Sequence, residues 1–245
     1  MKPVIYAMIP ARLGSRRLKM KNLALINGKP MIYYAIRAAK ESGVFDKIVL
    51  NSDSELFAKI AERYDVGFYQ RHKKLGSSQT KSDAVVADFI CAHPEAELLA
   101  WVNTTSPFQT SDELSSTISC FIDNQLDSLI TVEDKQVHCT YNGKPVNFRP
   151  DESFAQTQNL AAVQPFVYSV MMWRSKQFLK EFNEKGFALF CGKFGTFTVG
   201  KMTAIIIKTQ EDLLIANELM KVMEDSNKGS IEYDILAGNV FQENC

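Results

Sequence analysis

The stretch Val4-Ile-Tyr-Ala-Met-Ile9, running directly into Pro10-Ala-Arg-Leu-Gly-Ser-Arg-Arg-Leu-Lys-Met-Lys-Asn22, decides how the rest of the chain is read. Its first six residues are short, apolar and partly β-branched, the pattern of a strand buried on both faces. Pro10–Lys29 reads as a long loop rich in cations. Pro30 then suits the first turn of a helix over Met31–Lys40 that ends near Gly43. A buried strand, a cationic loop and a helix in that order open a βα sheet.

Working outward, Lys47–Ser52 is the second strand, and Ser52 with Glu55 resembles a capping box that opens a helix to about Tyr64. Val66–Tyr69 is a short strand, Ser82–His93 a helix, Glu97–Val102 a strand, Asp112–Asn124 a helix and Ser128–Val132 a strand. This alternation predicts an α/β fold: a mostly parallel open sheet with helices on both faces. Ligands of such sheets lie beyond the strands' carboxyl ends, where the loops after Ile9, Leu50 and Val102 converge. The alternation breaks between Glu133 and Trp173. Asn142-Gly143 there signals a hairpin, flanked by His138–Tyr141 and Pro145–Phe148. The apolar run Phe166–Trp173 is expected to be buried, with a second subunit as one candidate cover. Helix Ser175–Asn183, strand Ala204–Ile207 and helix Glu211–Glu224, capped by Thr209 with Asp212 behind it, return to α/β. The expectation is one domain over residues 1–245 with an excursion at about 133–173.

Composition narrows the function classes. The 245 residues are 46% hydrophobic and 23% charged, which suits a globular α/β core and argues against disorder or a fibrous chain. No apolar run reaches the ~18 residues of a membrane span, and Val4–Ile9 is too short for a signal-peptide core. Five scattered cysteines (91, 120, 139, 191 and 245) without a CxxC fit a reduced, cytoplasmic protein. The balance of 28 basic and 28 acidic residues hides an asymmetry: residues 1–40 hold nine basic residues and no acidic one. Positive charge confined to one end of a neutral chain points to a small anion such as a polyphosphate. Nucleic acid is not expected, because no wider basic surface exists to track it.

The loop supplies what a polyphosphate needs. Arg12, Arg16, Arg17, Lys19 and Lys21 are cationic donors, Ser15 adds a hydroxyl, and Gly14 allows a phosphate to approach the backbone. It matches neither GxxxxGK[ST] nor GxGxxG, which removes the main support for a P-loop ATPase or a dehydrogenase. A bare charge run is most often a solvated face; this one follows the first strand of a βα sheet and carries Gly and Ser. Other candidates have simpler readings. His72, His93 and His138 lack zinc-site spacing. Ser106 lacks a GxSxG setting. Cys91 and Met171-Met-Trp173 read as core or interface, and Asp53 as a helix cap or a ligand contact.

Ile-Pro-Ala-Arg-x-Gly-Ser-Arg, with Lys21-Asn22 and Gly28-Lys-Pro-Met31, resembles the acylneuraminate cytidylyltransferases and their relatives that handle other 3-deoxy-2-ulosonic acids. The resemblance continues through Asn51-Ser-Asp53, Arg71, Ser82-Asp83, Asn103-Thr-Thr-Ser-Pro107 and Thr209-Gln-Glu-Asp-Leu213. It implies a nucleotide-diphospho-sugar transferase-like fold with a β-hairpin dimerisation excursion. It implies transfer of CMP from CTP to an acidic sugar for cell-surface polysaccharide synthesis, in a homodimer. By this resemblance Arg12, Ser15 and Lys21 hold the triphosphate, with Arg12 and Lys21 stabilising the departing pyrophosphate and Gly14 beside them. Asn22 and Arg71 contact the cytidine, and Ser82 orients the nucleotide. Asn103 stands where the family has a sugar-contacting Gln, and Gln158 and Arg149 are further acceptor candidates.

Two stretches depart from the family pattern. Where the family carries Asp-Ile-Asp-Thr, whose carboxylates hold Mg²⁺, this chain reads Ile206-Ile-Lys-Thr209. The sugar-binding stretch retains Gln158 and Leu160 but not the family's Asn-Gly pair. Three alternatives follow: Lys208 replaces part of the metal's charge, Mg²⁺ arrives on the CTP phosphates, or the protein binds its ligands without turnover. A transferase for another acidic acceptor is a further alternative.

Overall fold

The computed structural model describes residues 2–15 and 17–224; Arg16 and Cys245 lie outside the described residues. In chain order the elements are β1 (Ile5–Ala11), β2 (Leu25–Ile26), β3 (Lys29–Pro30), α1 (Met31–Ser42), β4 (Lys47–Ser52), α2 (Leu56–Arg63) and β5 (Gly67–Gln70). Then come α3 (Ser82–Ala92), β6 (Leu98–Val102), α4 (Ser111–Asp123), β7 (Ser128–Val132), β8 (Thr140–Tyr141) and β9 (Lys144–Pro145). The chain continues with β10 (Phe166–Arg174), α5 (Ser175–Lys185), β11 (Phe194–Thr198) and α6 (Gln210–Glu224). Seven strands form one sheet in the order β11-β7-β10-β6-β1-β4-β5. β10 runs antiparallel to β6 and β7, and the remaining pairings described in this sheet are parallel.

The period-2 alternation of β1 builds both layers. Ile5, Ala7, Ile9 and Ala11 face α1, α2 and α4, packing with Ile32, Ile36, Phe57, Leu114 and Phe121. Tyr6 and Met8 face α3 and α5, among Phe89, Trp173 and Phe178. Each fully buried side chain of this size stabilises the fold by about 1.5–3 kcal/mol relative to exposure. A third cluster packs α6 through Ala216 and Met220 on Tyr34 of α1, with Ile26, Phe108 and Ile207. It holds the 205–208 segment beside the ligand end of the sheet.

The expected α/β sheet with helices on both faces is the observed architecture, with several differences. The loop Pro10–Lys29 contains a small hairpin, β2–β3, turned by Asn27 and Gly28 at φ 44° and 73°; two successive positive φ values are what a tight hairpin turn needs. The Ser52–Glu55 capping box does not form: Ser52 ends β4 and its Oγ accepts from the Ser54 N–H at 3.1 Å, while α2 starts at Leu56 without a side-chain cap. Phe166–Trp173 is no part of the excursion. It forms β10 in the middle of the sheet, with Val167 and Ser169–Trp173 buried by the chain itself and Phe166 and Tyr168 exposed, and the excursion ends at Pro165. Ala204–Ile207 is not a strand, and the sheet edge is taken by Phe194–Thr198 instead. The Asn142-Gly143 hairpin forms as β8–β9. The cap on α6 also forms: the Asp212 N–H donates to Thr209 Oγ1 at 3.3 Å, and Asp212 Oδ2 accepts from the Thr209 N–H at 2.9 Å.

Candidate functional site

The loops after β1 and β6 and the β5–α3 connection meet beyond the carboxyl ends of the parallel strands, as the open-sheet rule requires. They enclose a cleft of about 250 Å³. The first loop contributes Arg12, Ser15, Lys21 and Asn22, the connection contributes Arg71 and Ser82, and the end of β6 contributes Trp101 and Asn103. A neighbouring hollow of about 350 Å³ shares Lys21, Ser82, Trp101, Asn103 and Thr105 with it. The two are lobes of one depression. The second lobe is walled by Phe166, Tyr168, Met171 and Leu189, with Arg17 and Lys208 at its cationic side.

Arg71 is the structural centre of the first lobe. It is 4% exposed. Its Nη1 donates to the Asn51 carbonyl at 3.0 Å and to Asn51 Oδ1 at 3.3 Å; its Nη2 donates to the Ala11 carbonyl at 3.0 Å and to Asp53 Oδ1 at 3.4 Å. One guanidinium thus ties together the ends of β1 and β4. Asp53 is its counter-ion, a role that is neither the helix cap nor the ligand contact read from the sequence. Asn22 is equally committed. Its Nδ2 donates to the Arg12 carbonyl at 3.2 Å and its Oδ1 accepts from Thr104 Oγ1 at 2.7 Å, so it braces the cationic loop against the end of β6. Asn103 stands at the junction of the lobes, with Nδ2 donating to the Tyr168 carbonyl at 3.1 Å and Oδ1 accepting from the Thr105 N–H at 3.3 Å.

Lys21 is half-buried, and its Nζ donates to the Ile207 carbonyl at 3.3 Å. Burial, then the charges of Arg17, Arg12 and Lys208, push its ammonium down to about 8. Arg12 Nη1 donates to the Ser77 carbonyl at 3.3 Å. Ser82 is the first residue of α3 and faces both lobes. The next residue, Asp83, is buried and accepts from the Ala188 and Leu189 N–H groups at 2.6 and 3.1 Å. It thereby pins the loop that carries Leu189 into the second lobe.

Of the residues singled out in the sequence, Arg12, Ser15, Lys21, Asn22, Arg71, Ser82 and Asn103 come together in one cleft, and Lys208 lines the adjoining lobe. Gly14 does not line either lobe, and a Cβ there would meet nothing within 4 Å, so nothing in the protein itself requires glycine at that position. Arg149 and Gln158 are not brought to the cleft of their own chain. Arg149 is exposed, paired with Asp151 Oδ2 at 3.0 Å and Glu152 Oε1 at 3.2 Å beside a separate hollow of the excursion. Gln158 is exposed and donates to Gln156 Oε1 at 2.6 Å.

Sequence reasoning missed Trp101, Phe166 and Tyr168 as site residues. Trp101 had a legible signal, being large and next to last on a strand that ends at the ligand side. Phe166 and Tyr168 had none, because only the placement of β10 brings them there. Tyr168 adopts φ 60°, an unusual conformation for an aromatic residue, at an irregularity in the β10–β7 register.

The donor set does not fit a protein-held Mg²⁺. Among the described residues no group of three or more His, Cys, Asp or Glu is arranged to hold a metal ion. Beside Lys21 stand Ile206 and Lys208, while Asp212 Oδ2 is engaged by the Lys208 and Thr209 N–H groups at 2.8 and 2.9 Å.

Comparison with known proteins bears on the family and the fold. The N-acylneuraminate cytidylyltransferase of Streptococcus agalactiae serotype V is 31% identical over 140 residues, covering 56% of this chain. The match covers only 33% of that relative, so the chain spans about a third of its length. The pseudaminic acid cytidylyltransferase of Campylobacter jejuni is 27% identical over 230 residues, covering 89% of this chain and 97% of the relative. Among solved structures, CMP:2-keto-3-deoxy-manno-octonic acid synthetase complexed with CTP superposes with a TM-score of 0.68 at 15% identity, covering 89% of this chain and 98% of the other. The 4-diphosphocytidyl-2C-methyl-D-erythritol synthase of Anaerococcus prevotii superposes at 0.61 and 16% identity, covering 89% of this chain and 99% of the other. These two likenesses bear on the fold. The family profile described as cytidylyltransferase matches residues 6–182, most of the chain. By its sequence, its fold and its cationic cleft, this chain belongs to the cytidylyltransferase family.

Proposed function

We propose that the protein joins CTP to a nonulosonic acid, a 3-deoxy-2-ulosonic acid of the sialic type, giving a CMP-sugar and pyrophosphate. The observation that carries the reading is the pair of adjoining lobes: a polar, cationic one and an aromatic-walled one, meeting at Lys21. The acceptor's anomeric hydroxyl oxygen forms a bond to the α-phosphorus. The bond from that phosphorus to the bridging oxygen of the β-phosphate breaks, its electron pair leaves on pyrophosphate, and the hydroxyl proton passes to solvent. Such a transfer rests on positioning and charge stabilisation. Arg12, Ser15 and Lys21 hold the triphosphate, with Arg12 and Lys21 meeting the charge that develops on the leaving group. Ser82 orients the nucleotide, and Asn22 and Arg71 shape the cytidine side through the loops they brace. Mg²⁺ enters on the CTP phosphates, without a carboxylate cage from the protein.

The second lobe favours an acid with apolar substituents. Phe166, Tyr168, Met171 and Leu189 offer surface for acyl groups or deoxygenated carbons, while Arg17 offers a partner for a carboxylate. The test is pyrophosphate release from CTP across a panel of nonulosonic and octulosonic acids, with mass detection of the product. Turnover is expected with N-acylated nonulosonic acids and at least tenfold slower with 3-deoxy-manno-octulosonate, a discrimination that a few apolar contacts supply. The reverse order would overturn the acceptor assignment. Silence across the panel with CTP still bound would favour the binding-only alternative, which the absent metal carboxylates support.

The excursion is the proposed dimer element, and the protein the cytoplasmic supplier of an activated sugar for cell-surface polysaccharide. Tyr141, Val146 and Phe154 are exposed on the excursion at 73%, 55% and 83%. In this reading it carries Arg149 and Gln158 towards the partner's second lobe. Sedimentation at micromolar concentration should give a dimer, and deletion of 138–148 a monomer; a wild-type monomer would overturn the assignment.

A further inference from the structure

We infer that Lys208 is a phosphate-binding residue, placed with Arg17 in the second lobe beside Lys21, which lines both, and that its ammonium takes over charge that a protein-held cation would otherwise supply. The inference rests on the nucleotide reading above and assigns a role to a residue that reading leaves unused. The position of Lys208 is built. The Ile207 N–H donates to the Thr105 carbonyl at 2.9 Å, which fixes the segment against the end of β6. Lys21 Nζ donates to the Ile207 carbonyl at 3.3 Å, so the two lysines are held on adjacent parts of one wall. The Lys208 N–H donates to Asp212 Oδ2 at 2.8 Å, which sets where its side chain leaves the backbone.

The carboxylate nearest these charges is Asp212, whose Oδ2 is occupied by the Lys208 and Thr209 N–H groups. Among the described residues, Arg12, Arg17, Lys21 and Lys208 form no ion pair with a carboxylate. Four cations gathered near a single carboxylate repel one another, and an anion seated between them relieves that repulsion. The consecutive phosphates of a nucleoside triphosphate match this spread, and charge-assisted hydrogen bonds from ammonium and guanidinium groups are the strong ones. Ile206, also in this wall, contributes no carboxylate. The segment is therefore equipped to bind phosphate and not a bare cation.

The experiment is calorimetric binding of CTP, without acceptor, in excess EDTA and in excess Mg²⁺. Wild-type protein should bind CTP in EDTA within about threefold of its affinity in Mg²⁺, and Lys208→Ala should weaken the EDTA value by about tenfold or more. Lys208→Arg should recover most of that loss. Lys208→Asp should bind CTP appreciably only with Mg²⁺. Thermal melts of each variant separate a lost contact from a lost fold. Wild-type binding that requires Mg²⁺, or Lys208→Ala binding like wild type in EDTA, overturns the inference and leaves the nucleotide reading standing. Absence of CTP binding in both conditions overturns the nucleotide reading itself, and the inference with it.

Discussion

Arg71→Met should lower the free energy of unfolding by about 3–5 kcal/mol, the range for removing one partner from a buried ion pair. Arg71 is 4% exposed and its guanidinium serves the carbonyls of Ala11 and Asn51 together with Asp53. Methionine fills similar volume but leaves those acceptors without donors in a place water reaches poorly. Because Ala11 and Asn51 end β1 and β4, the loss also loosens the ground on which the cationic loop stands. CTP affinity should therefore fall more than tenfold in protein that is still folded. Arg71→Lys should recover only part of either quantity, since a single ammonium cannot span acceptors arranged for a planar fork. Urea unfolding and CTP titration followed by the fluorescence of Trp101, which lines the cleft, read the two effects separately. A stability loss below about 1 kcal/mol would mean that water takes over the role of the guanidinium.

Lys21→Met should reduce turnover by about 10²–10³, the effect of deleting one donor aimed at developing charge. The pH dependence carries more information. Lys21 is pushed down to about 8 from the 10.5 of a free lysine, first by burial and then by Arg17, Arg12 and Lys208. Below pH 8 the ammonium is charged in both folded and unfolded chains, and the folded state bears the full penalty of holding it. From pH 8 towards 10.5 the unfolded chain binds more protons, so this residue's contribution to stability rises with pH. Phosphate affinity runs the opposite way, falling as pH passes through about 8 and the ammonium is neutralised. CTP binding above pH 8 should accordingly take up a proton, seen as a binding heat that changes with the ionisation enthalpy of the buffer. Lys21→Arg keeps its charge throughout, so its affinity should lack that break. A break that survives in Lys21→Arg would assign the titration to another group.

Much of the fold was legible because local rules carried it. The apolar run Val4–Ile9 made a strand, Pro30 and Gly43 bounded α1, and Thr209 with Asp212 capped α6, each through residues close in the chain. The cationic side of the cleft was legible for the same reason: Arg12, Ser15, Lys21 and Asn22 lie on a single loop. The misread elements were those whose state depends on distant partners. Ala204–Ile207 has the composition of a strand, yet its backbone meets Thr105 and Lys21 instead of a sheet edge. Phe194–Thr198, with a weaker local pattern, pairs with β7. Phe166–Trp173 reads as a buried segment with a second subunit as one candidate cover, and only its pairing with both β6 and β7 makes it a strand within the sheet.

By itself, then, the sequence determined a mostly parallel α/β sheet with a cationic loop after its first strand, because helix caps, strand alternation and charge runs act over a few residues. The tertiary structure decided what the amides of Asn22 and Asn103 are occupied with, since their partners Thr104 and Tyr168 come from distant parts of the chain. It also decided that Trp101 and Tyr168 wall a second lobe and that Lys208 shares a wall with Lys21. Those outcomes depend on which segments the sheet brings together. Pairing between segments this far apart in the chain leaves no periodicity from which it can be read.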